Sequence, residues 1–176
     1  MSETYFTGDL HFYHRWMATH RGYDSVEEMN ELLIAQWNDR ISRKDDVFVL
    51  GDFSFGGAEG VNAVLKRLAG RHLYLIKGNH DNRSVTLHPR WSWVKDLHPF
   101  RLNGQTAWLL HYPMLTWPNA NKGTWHLHGH SHGNLTAPAS TRMDVGIDAI
   151  MDIAVSWDDV CLLMENREYD YVDHND

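Results

Sequence analysis

Side chains that bind metal ions recur in five separate segments of this sequence, each placed after a short apolar run. They are carboxylate, amide and imidazole groups, and no cysteine lies among them. Such a set suits manganese, iron, zinc or similar ions rather than a structural zinc held by thiolates. The candidate ligands are Asp9, His11, Asp52, Asn79, His111, His130 and His132.

Seven candidate ligands are too many for one tetrahedral site, and they fit two adjacent ions that share one carboxylate. Two ions about 3.5–4 Å apart stabilise the attacking and the leaving oxygen of an in-line displacement, and they supply hydroxide near neutral pH. Taken singly, Asp and Asn residues also suit turns. Taken together, the seven predict a site for two divalent ions, manganese, iron, zinc or nickel, with manganese favoured.

Strands must position these side chains, because each segment follows a run with strand character. The expected strands are residues 4–7, 47–50, 72–76, 94–97, 106–111, 125–127 and 143–147. In open α/β sheets, ligands bind beyond the carboxyl ends of the strands. We therefore expect the candidate ligands to meet at one edge of the sheet structure.

Three helices are expected between and after these strands. Ser25 and Glu28 form a capping-box pattern ahead of the amphipathic residues 29–41. A second helix is expected over residues 61–69, with Gly70 at its carboxyl end, and a third near residues 160–165 behind Ser156. Alternation of strand and helix, followed mostly by strands, predicts an α/β fold with more than one sheet.

Length, charge and cysteine content limit the classes of protein to consider. The chain has 176 residues and a net charge of −7, and we expect one domain over residues 1–176. The negative charge argues against a surface for long nucleic acid. Cys161 is the single cysteine, so no intrachain disulfide forms. The single cysteine fits the cytoplasmic location that we expect. Neither a signal peptide nor an apolar run of about 18 residues is evident, so we expect no membrane span.

Five blocks of this sequence resemble, in the same order, the signature of the calcineurin-like metallophosphoesterase family. The match runs over residues 9–132 and implies two packed β-sheets flanked by α-helices. The segment His11-Phe12-Tyr13-His14 is similar to the short bacterial and phage-type members of the family. The blocks are Asp9-Leu10-His11, Gly51-Asp52, Gly78-Asn79-His80-Asp81, His111 and Gly129-His130-Ser131-His132.

The resemblance also implies a role for each residue of these blocks. Asp52 would bridge the two metals, and a metal-activated hydroxide would attack phosphorus. His80 would contact the phosphate and protonate the leaving oxygen, and Asp81 would orient His80 by accepting a hydrogen bond. The first metal would be held by Asp9, His11 and His132, and the second by Asn79, His111 and His130.

One departure from the family pattern bears on the substrate. Protein Ser/Thr phosphatases of this superfamily carry an arginine-containing block after the bridging aspartate, and a glutamate after the Asn-His pair. Here Asp52 is followed by Phe53-Ser54-Phe55, and Asp81 takes the place of the glutamate. A phosphoprotein phosphatase is therefore disfavoured, and phosphodiesterases and small-molecule phosphatases are favoured.

Substrate contacts are expected from residues near the ligand blocks. Tyr112 and Trp117 either stack on a base or pack beneath their own loop. His14 lies at the pocket mouth or faces solvent, and Arg15 and Arg21 contact phosphate or remain solvated. His126 and His128 point to one face of their strand, where a packed position is favoured over metal binding.

Several functions fit these observations. The leading hypothesis is a phosphodiesterase acting on a small nucleotide-like substrate. The alternatives are a phosphomonoesterase acting on a small molecule, a nuclease acting on nucleic-acid ends, and a non-catalytic scaffold that keeps the fold. The full ligand set and His80 disfavour the scaffold, and the negative charge disfavours the nuclease.

Overall fold

Two β-sheets form the centre of the fold in a computed structural model, which describes residues 2–135 and 141–168. The first sheet has the order β4-β3-β2-β1-β9, in which β9 alone is antiparallel to its neighbour, and the second has the order β5-β6-β7-β8. The strands are β1 (Thr4–Thr7), β2 (Asp46–Leu50), β3 (His72–Ile76), β4 (Trp91–Lys95), β5 (Leu97–Leu102), β6 (Gln105–Leu110), β7 (Trp125–His128), β8 (Arg142–Asp144) and β9 (Val155–Ser156).

Helices flank the two sheets, and two of them begin at the predicted caps. Ser25 Oγ accepts a hydrogen bond from Glu28 N–H at 3.0 Å, and Ser156 Oγ accepts one from Asp159 N–H at 3.1 Å. Among the described residues, no helix combines the length and apolar character needed to cross a membrane. The helices are α1 (Arg15–His20), α2 (Val26–Arg40), α3 (Gly57–Leu65), α4 (Arg83–Thr86), α5 (Ile147–Ile150) and α6 (Trp157–Met164), with a 3-10 turn at Ala120–Lys122.

Side chains of β2 alternate between two apolar layers, as the period of a strand requires. Val47 and Val49 pack in the layer between the first sheet and its helices, whereas Phe48 and Leu50 pack in the layer between the two sheets. The predicted α/β fold, with two packed β-sheets flanked by α-helices, is therefore confirmed.

Aromatic rings hold the two sheets together. The ring of Phe6 on β1 lies 5.4 Å from Phe48 and 5.2 Å from Phe100 on β5, and Phe100 lies 4.9 Å from Trp157. Burial of one such side chain contributes about 1.5–3 kcal/mol. This packing fixes how the ends of the two sheets face each other.

Some predicted element bounds were wrong. Residues 94–97 do not form one strand, because the chain leaves the first sheet at Asp96 and enters the second. The strand expected at residues 143–147 ends at Asp144, whose Oδ1 accepts a hydrogen bond from Gly146 N–H at 2.8 Å. Helix α3 lies over residues 57–65 rather than 61–69, so Gly70 does not cap it. Helix α6 begins directly after Ser156 rather than near residue 160.

His126 on β7 is a buried histidine that joins a strand to a loop. Its Nε2 accepts a hydrogen bond from Met114 N–H at 3.0 Å, so its Nδ1 carries the proton and donates to Trp108 O at 2.9 Å. His128 is also buried, and its Nδ1 lies 2.8 Å from Gly129 O. Burial lowers the pKa of His126 from 6.5 to about 3.

This shift in the pKa of His126 predicts a loss of stability in acid. Between pH 6.5 and about 3 the unfolded chain binds a proton at His126 and the folded chain does not. The free energy of unfolding should therefore fall as the pH drops, by about 1.4 kcal/mol per pH unit from this residue. Urea denaturation between pH 6 and 4 should show a shallower pH dependence for His126→Gln. A His126→Gln protein whose slope equals that of the wild type would contradict the prediction.

Candidate metal centre

The carboxyl ends of strands from both sheets meet at one cleft. Two candidate ligands follow β1, one follows β2 and one lies in the loop after β3. The second sheet supplies His111 after β6 and two histidines after β7. The loops after β1 and β2 are joined by hydrogen bonds from Asp9 N–H to Gly51 O and from His11 N–H to Asp52 O, both at 3.0 Å.

The candidate ligands form two groups within this cleft. Asp9, His11 and His132 each place one ligand atom within 4.8 Å of the others. Asp52, His111 and His130 do the same. Each group therefore takes side chains from both sheets, and the structure brings together residues that are far apart in the sequence.

Asp52 and Asn79 complete the arrangement. Asp52 Oδ2 lies 3.8 Å from His11 Nε2 and 3.6 Å from His111 Nε2, so this carboxylate stands between the two groups. Asn79 Oδ1 lies 3.0 Å from His111 Nε2 in the second group. All seven residues singled out in the sequence thus converge on one cleft.

Buried polar atoms in the first group fit a divalent cation. Both ring nitrogens of His11 are buried, and the described residues offer neither a hydrogen-bond partner. Burial lowers the pKa of His11 to about 2, so the ring stays neutral, which is the form that binds metals. Burial also raises the pKa of Asp9 to about 8, so this carboxylate is stable as an anion only beside a positive charge.

Hydrogen bonds orient two of the histidines. His111 Nδ1 lies 2.7 Å from Leu50 O, which leaves Nε2 facing the second group. His132 Nδ1 lies 2.6 Å from Asp148 Oδ2. This carboxylate–histidine contact fixes the ring and raises its basicity. Sequence reasoning missed Asp148, because a carboxylate at the start of the short helix α5 matches no ligand spacing.

The backbone at the cleft is held in an unfavourable conformation. Left-handed φ values, which cost a non-glycine residue roughly 1–2 kcal/mol, occur at five of the candidate ligands. Such outliers persist only where surrounding contacts fix them. The residues are Asp9 (φ 54°), His11 (φ 53°), Asp52 (φ 55°), His130 (φ 67°) and His132 (φ 48°).

Two glycines allow close approach to the buried carboxylate of Asp9. A Cβ at Gly129 would lie 2.7 Å from Asp9 Oδ2, and a Cβ at Gly146 would also clash with this oxygen. With these positions free of side chains, His130 N–H donates to the Asp9 carboxylate at 2.9 Å. Asp144 supports the same region by accepting hydrogen bonds from the N–H groups of Gly133 and Gly146.

The resemblance implied that Asp81 orients His80, but among the described residues the hydrogen bonds of its carboxylate come from the backbone and none comes from His80. Its carboxylate accepts hydrogen bonds from the backbone N–H groups of Asp52 (3.0 Å), Phe53 (2.9 Å) and Gly78 (2.8 Å). These three bonds use three of the roughly four lone-pair sites of the carboxylate. Asp81 therefore shapes the loops after β2 and β3, while His80 lies exposed at the cleft with its backbone N–H bonded to Asp52 Oδ1 at 2.9 Å.

The five residues expected to contact substrate differ in their exposure and in their partners. Tyr112 is 44% exposed with its ring 4.6 Å from His130, His14 is half-buried beside His11, and Arg15 is exposed at the start of α1. Arg21 is different, because its guanidinium bonds to Asp148 and to the backbone carbonyls of Asp9 and Leu10.

Trp117 is also not placed to contact a substrate. It is only 4% exposed, and its Nε1 donates to Thr124 O at 3.1 Å. The packed alternative considered for this residue therefore describes it, and a base has no open ring face to stack on.

Asp81→Asn tests the revised role of Asp81. The substitution points an amide N–H₂ at backbone N–H groups, so we expect the free energy of unfolding to fall by about 1–3 kcal/mol. His80→Ala, which removes an exposed ring, should change stability by less than about 0.5 kcal/mol. Chemical denaturation of both variants measures the difference. If the Asp81→Asn protein instead keeps wild-type stability but loses turnover as His80→Ala does, the role of Asp81 in orienting His80 is supported.

Comparisons with known proteins agree with this fold. The chain is 30% identical over 175 residues to an uncharacterized protein of Methanocaldococcus jannaschii, covering 94% of this chain and 93% of that protein. It is also 30% identical over 199 residues to the Gene 66 protein of Mycobacterium phage D29, covering 96% of each. A protein of unknown function from Aquifex aeolicus, AQ665, shares the fold with a TM-score of 0.72 at 21% identity, covering 93% of this chain and 100% of that one.

The model of the family described as calcineurin-like phosphoesterase matches residues 3–172. This match extends over nearly the whole chain and includes every candidate ligand. The chain therefore belongs to the calcineurin-like phosphoesterase family.

Proposed function

We propose that this protein hydrolyses phosphate esters with two divalent metal ions, and that its substrate is a small phosphodiester of nucleotide type. The observation that carries the proposal is the position of Asp52, whose Oδ2 stands 3.8 Å from His11 Nε2 and 3.6 Å from His111 Nε2. A carboxylate in this place can serve both ligand groups at once. Manganese, iron, zinc and nickel all suit the donor set.

The chain would hold the two ions with separate groups of side chains. Bound there, the ions would supply Lewis acidity toward the phosphate and lower the pKa of water. Asp52 would be shared by both ions. The first ion would be held by Asp9, His11 and His132, and the second by Asn79, His111 and His130.

His80 is proposed as the general acid. It lies exposed at the cleft, and its ring centroid is 6.0 Å from that of His11 and 5.0 Å from that of Phe55. The hydrogen bond from the His80 backbone N–H to Asp52 Oδ1 fixes the position of the His80 backbone relative to the ligand groups. From there its ring can donate a proton to the leaving oxygen of the ester.

Exposed aromatic rings beside the cleft support a nucleotide-like substrate. Phe55 is 37% exposed and stacks on His14 at 4.1 Å, and Trp16 is 64% exposed with its ring 6.3 Å from His14. Tyr112 is exposed on the side of the second group. These rings offer apolar faces to a base, and the net charge of −7 disfavours a long nucleic acid.

Metal-dependent hydrolysis of two model esters tests the proposal. Metal-stripped protein would be assayed with bis-p-nitrophenyl phosphate and p-nitrophenyl phosphate after addition of Mn, Zn, Ni, Mg or nothing. We expect turnover of the diester only with metal, and a loss of roughly 10²–10⁴-fold in kcat for His80→Ala. Asp52→Asn should also bind less than two ions per chain, whereas the exposed control Asp39→Asn should match wild type.

The other outcomes of this assay would favour a different function. Turnover of the monoester alone would replace phosphodiesterase by phosphomonoesterase. Absence of turnover of either ester by protein that binds two ions per chain would refute hydrolysis of simple esters and point to a narrow substrate or a scaffold.

Trp16→Ala tests the aromatic surface. Thymidine 5′-(p-nitrophenyl phosphate) and methyl p-nitrophenyl phosphate share a leaving group and differ only in the nucleoside. Because base stacking contributes about 1–3 kcal/mol, we expect kcat/KM for the thymidine ester to fall on the order of tenfold and that for the methyl ester to stay unchanged. The control is Leu102→Ala, an exposed apolar residue of β5 that pairs with Gln105, at the end of β6 away from His111. Equal losses on both esters would contradict a base-binding role.

A further inference from the structure

Arg21 is an arginine with a buried side chain that makes four of its hydrogen bonds at one end of the cleft. Its side chain is 8% exposed although it lies in the turn after α1. Nε and Nη2 donate to the two carboxylate oxygens of Asp148 at 2.8 and 2.7 Å. Nη2 also donates to Asp9 O at 2.6 Å, and Nη1 donates to Leu10 O at 2.9 Å.

These contacts connect the first and last ligands of one group. Asp9 is the earliest candidate ligand in the chain, and its backbone is held in the left-handed region. Asp148 in turn bonds to Nδ1 of His132, the latest candidate ligand. One guanidinium therefore fixes the backbone that carries Asp9 and the carboxylate that orients His132.

The chemistry of the guanidinium suits this task. Its planar fork presents several N–H donors in a fixed arrangement, so it can bind a carboxylate with two bonds and still reach two carbonyl oxygens. Its positive charge also offsets the two carboxylates, those of Asp9 and Asp148, that lie beside the first group. A lysine ammonium has the charge but not the fork.

The second ligand group is held differently. His111 is oriented by the backbone carbonyl of Leu50, and Asp52 is placed by backbone hydrogen bonds around the loops after β2 and β3. Arg21 makes none of its hydrogen bonds, within the described residues, to a member of that group. Loss of Arg21 should consequently affect the two groups unequally.

We propose that Arg21 and Asp148 form a positioning clamp for the first metal-ligand group, so that this chain controls the affinity of one ion separately from the other. The inference rests on the proposed two-metal function, and it assigns to Arg21 a positioning role in place of the phosphate contact expected from the sequence. Loss of a residue that orients a metal ligand lowers metal affinity by roughly 10–100-fold.

Cobalt binding to the full chain tests the clamp without reference to turnover. Co²⁺ would be titrated into metal-stripped protein, followed by its absorption bands and by metal content after gel filtration. Two variant backgrounds allow each group to be measured alone. His111→Ala removes a ligand of the second group and leaves the first group intact, and His132→Ala does the reverse. Adding Arg21→Ala should weaken Co²⁺ binding about 10–100-fold in the His111→Ala background and leave it unchanged in the His132→Ala background.

Three further variants separate the clamp from a general effect on folding. Asp148→Asn should reproduce the selective loss, and Arg21→Lys should recover only part of the affinity, because the fork is missing. Arg67→Ala is the matched control, since Arg67 makes a two-bond contact to Glu31 at 2.6 Å but lies on the surface. It should bind Co²⁺ as wild type does.

The outcomes discriminate between the clamp and the proposed function on which it rests. Equal loss in both backgrounds, or wild-type affinity of Arg21→Ala in the His111→Ala background, would overturn the clamp. Full recovery by Arg21→Lys would overturn the role of the fork. Unaltered wild-type protein that binds fewer than two ions would refute the two-metal proposal itself, before any variant is compared. A thermal unfolding curve for each protein shows whether lost affinity reflects lost structure.

Discussion

Burial of several polar side chains at one point is the constraint on which the rest of the structure depends. Asp9 and His11 are almost fully buried, and each carries its backbone in a conformation that side chains disfavour. The cost is offset by hydrogen bonds between the loops after β1 and β2, and by Asp81, which binds three backbone N–H groups beside Asp52. The carboxylate of Asp81 therefore contributes to the cleft by joining the loops after β2 and β3.

The packing of the two sheets determines the spacing of the two ligand groups. Each group combines side chains from the first sheet with histidines from the second, so the layer between the sheets sets how far apart these atoms lie. Phe6, Phe48 and Phe100 form the part of this layer in which both sheets meet through aromatic rings. Because interiors are close-packed, a change in these rings would be transmitted to the cleft.

The candidate ligands could be predicted from the sequence, whereas the residues that support them could not. Asp9, Asp52 and His130 could be found because a ligand-type residue after an apolar run is a local pattern. Asp148 and Arg21 could not, because their partners lie on distant segments and hydrogen-bond direction depends on tertiary packing. Periodicity likewise could not reveal that the chain changes sheets at Asp96, since strand character continues on both sides.

The two-sheet origin of each ligand group also has a consequence for biosynthesis. The ribosome makes the chain from its amino end, and the side chains of β1 and β2 appear long before those of β7. Neither group is complete until His130 and His132 have been synthesised, and His132 gains its oriented ring only when Asp148 follows. A nascent chain that carries Asp9, His11 and Asp52 therefore lacks the rest of both groups for most of its synthesis, and each group is completed only when the second sheet packs on the first.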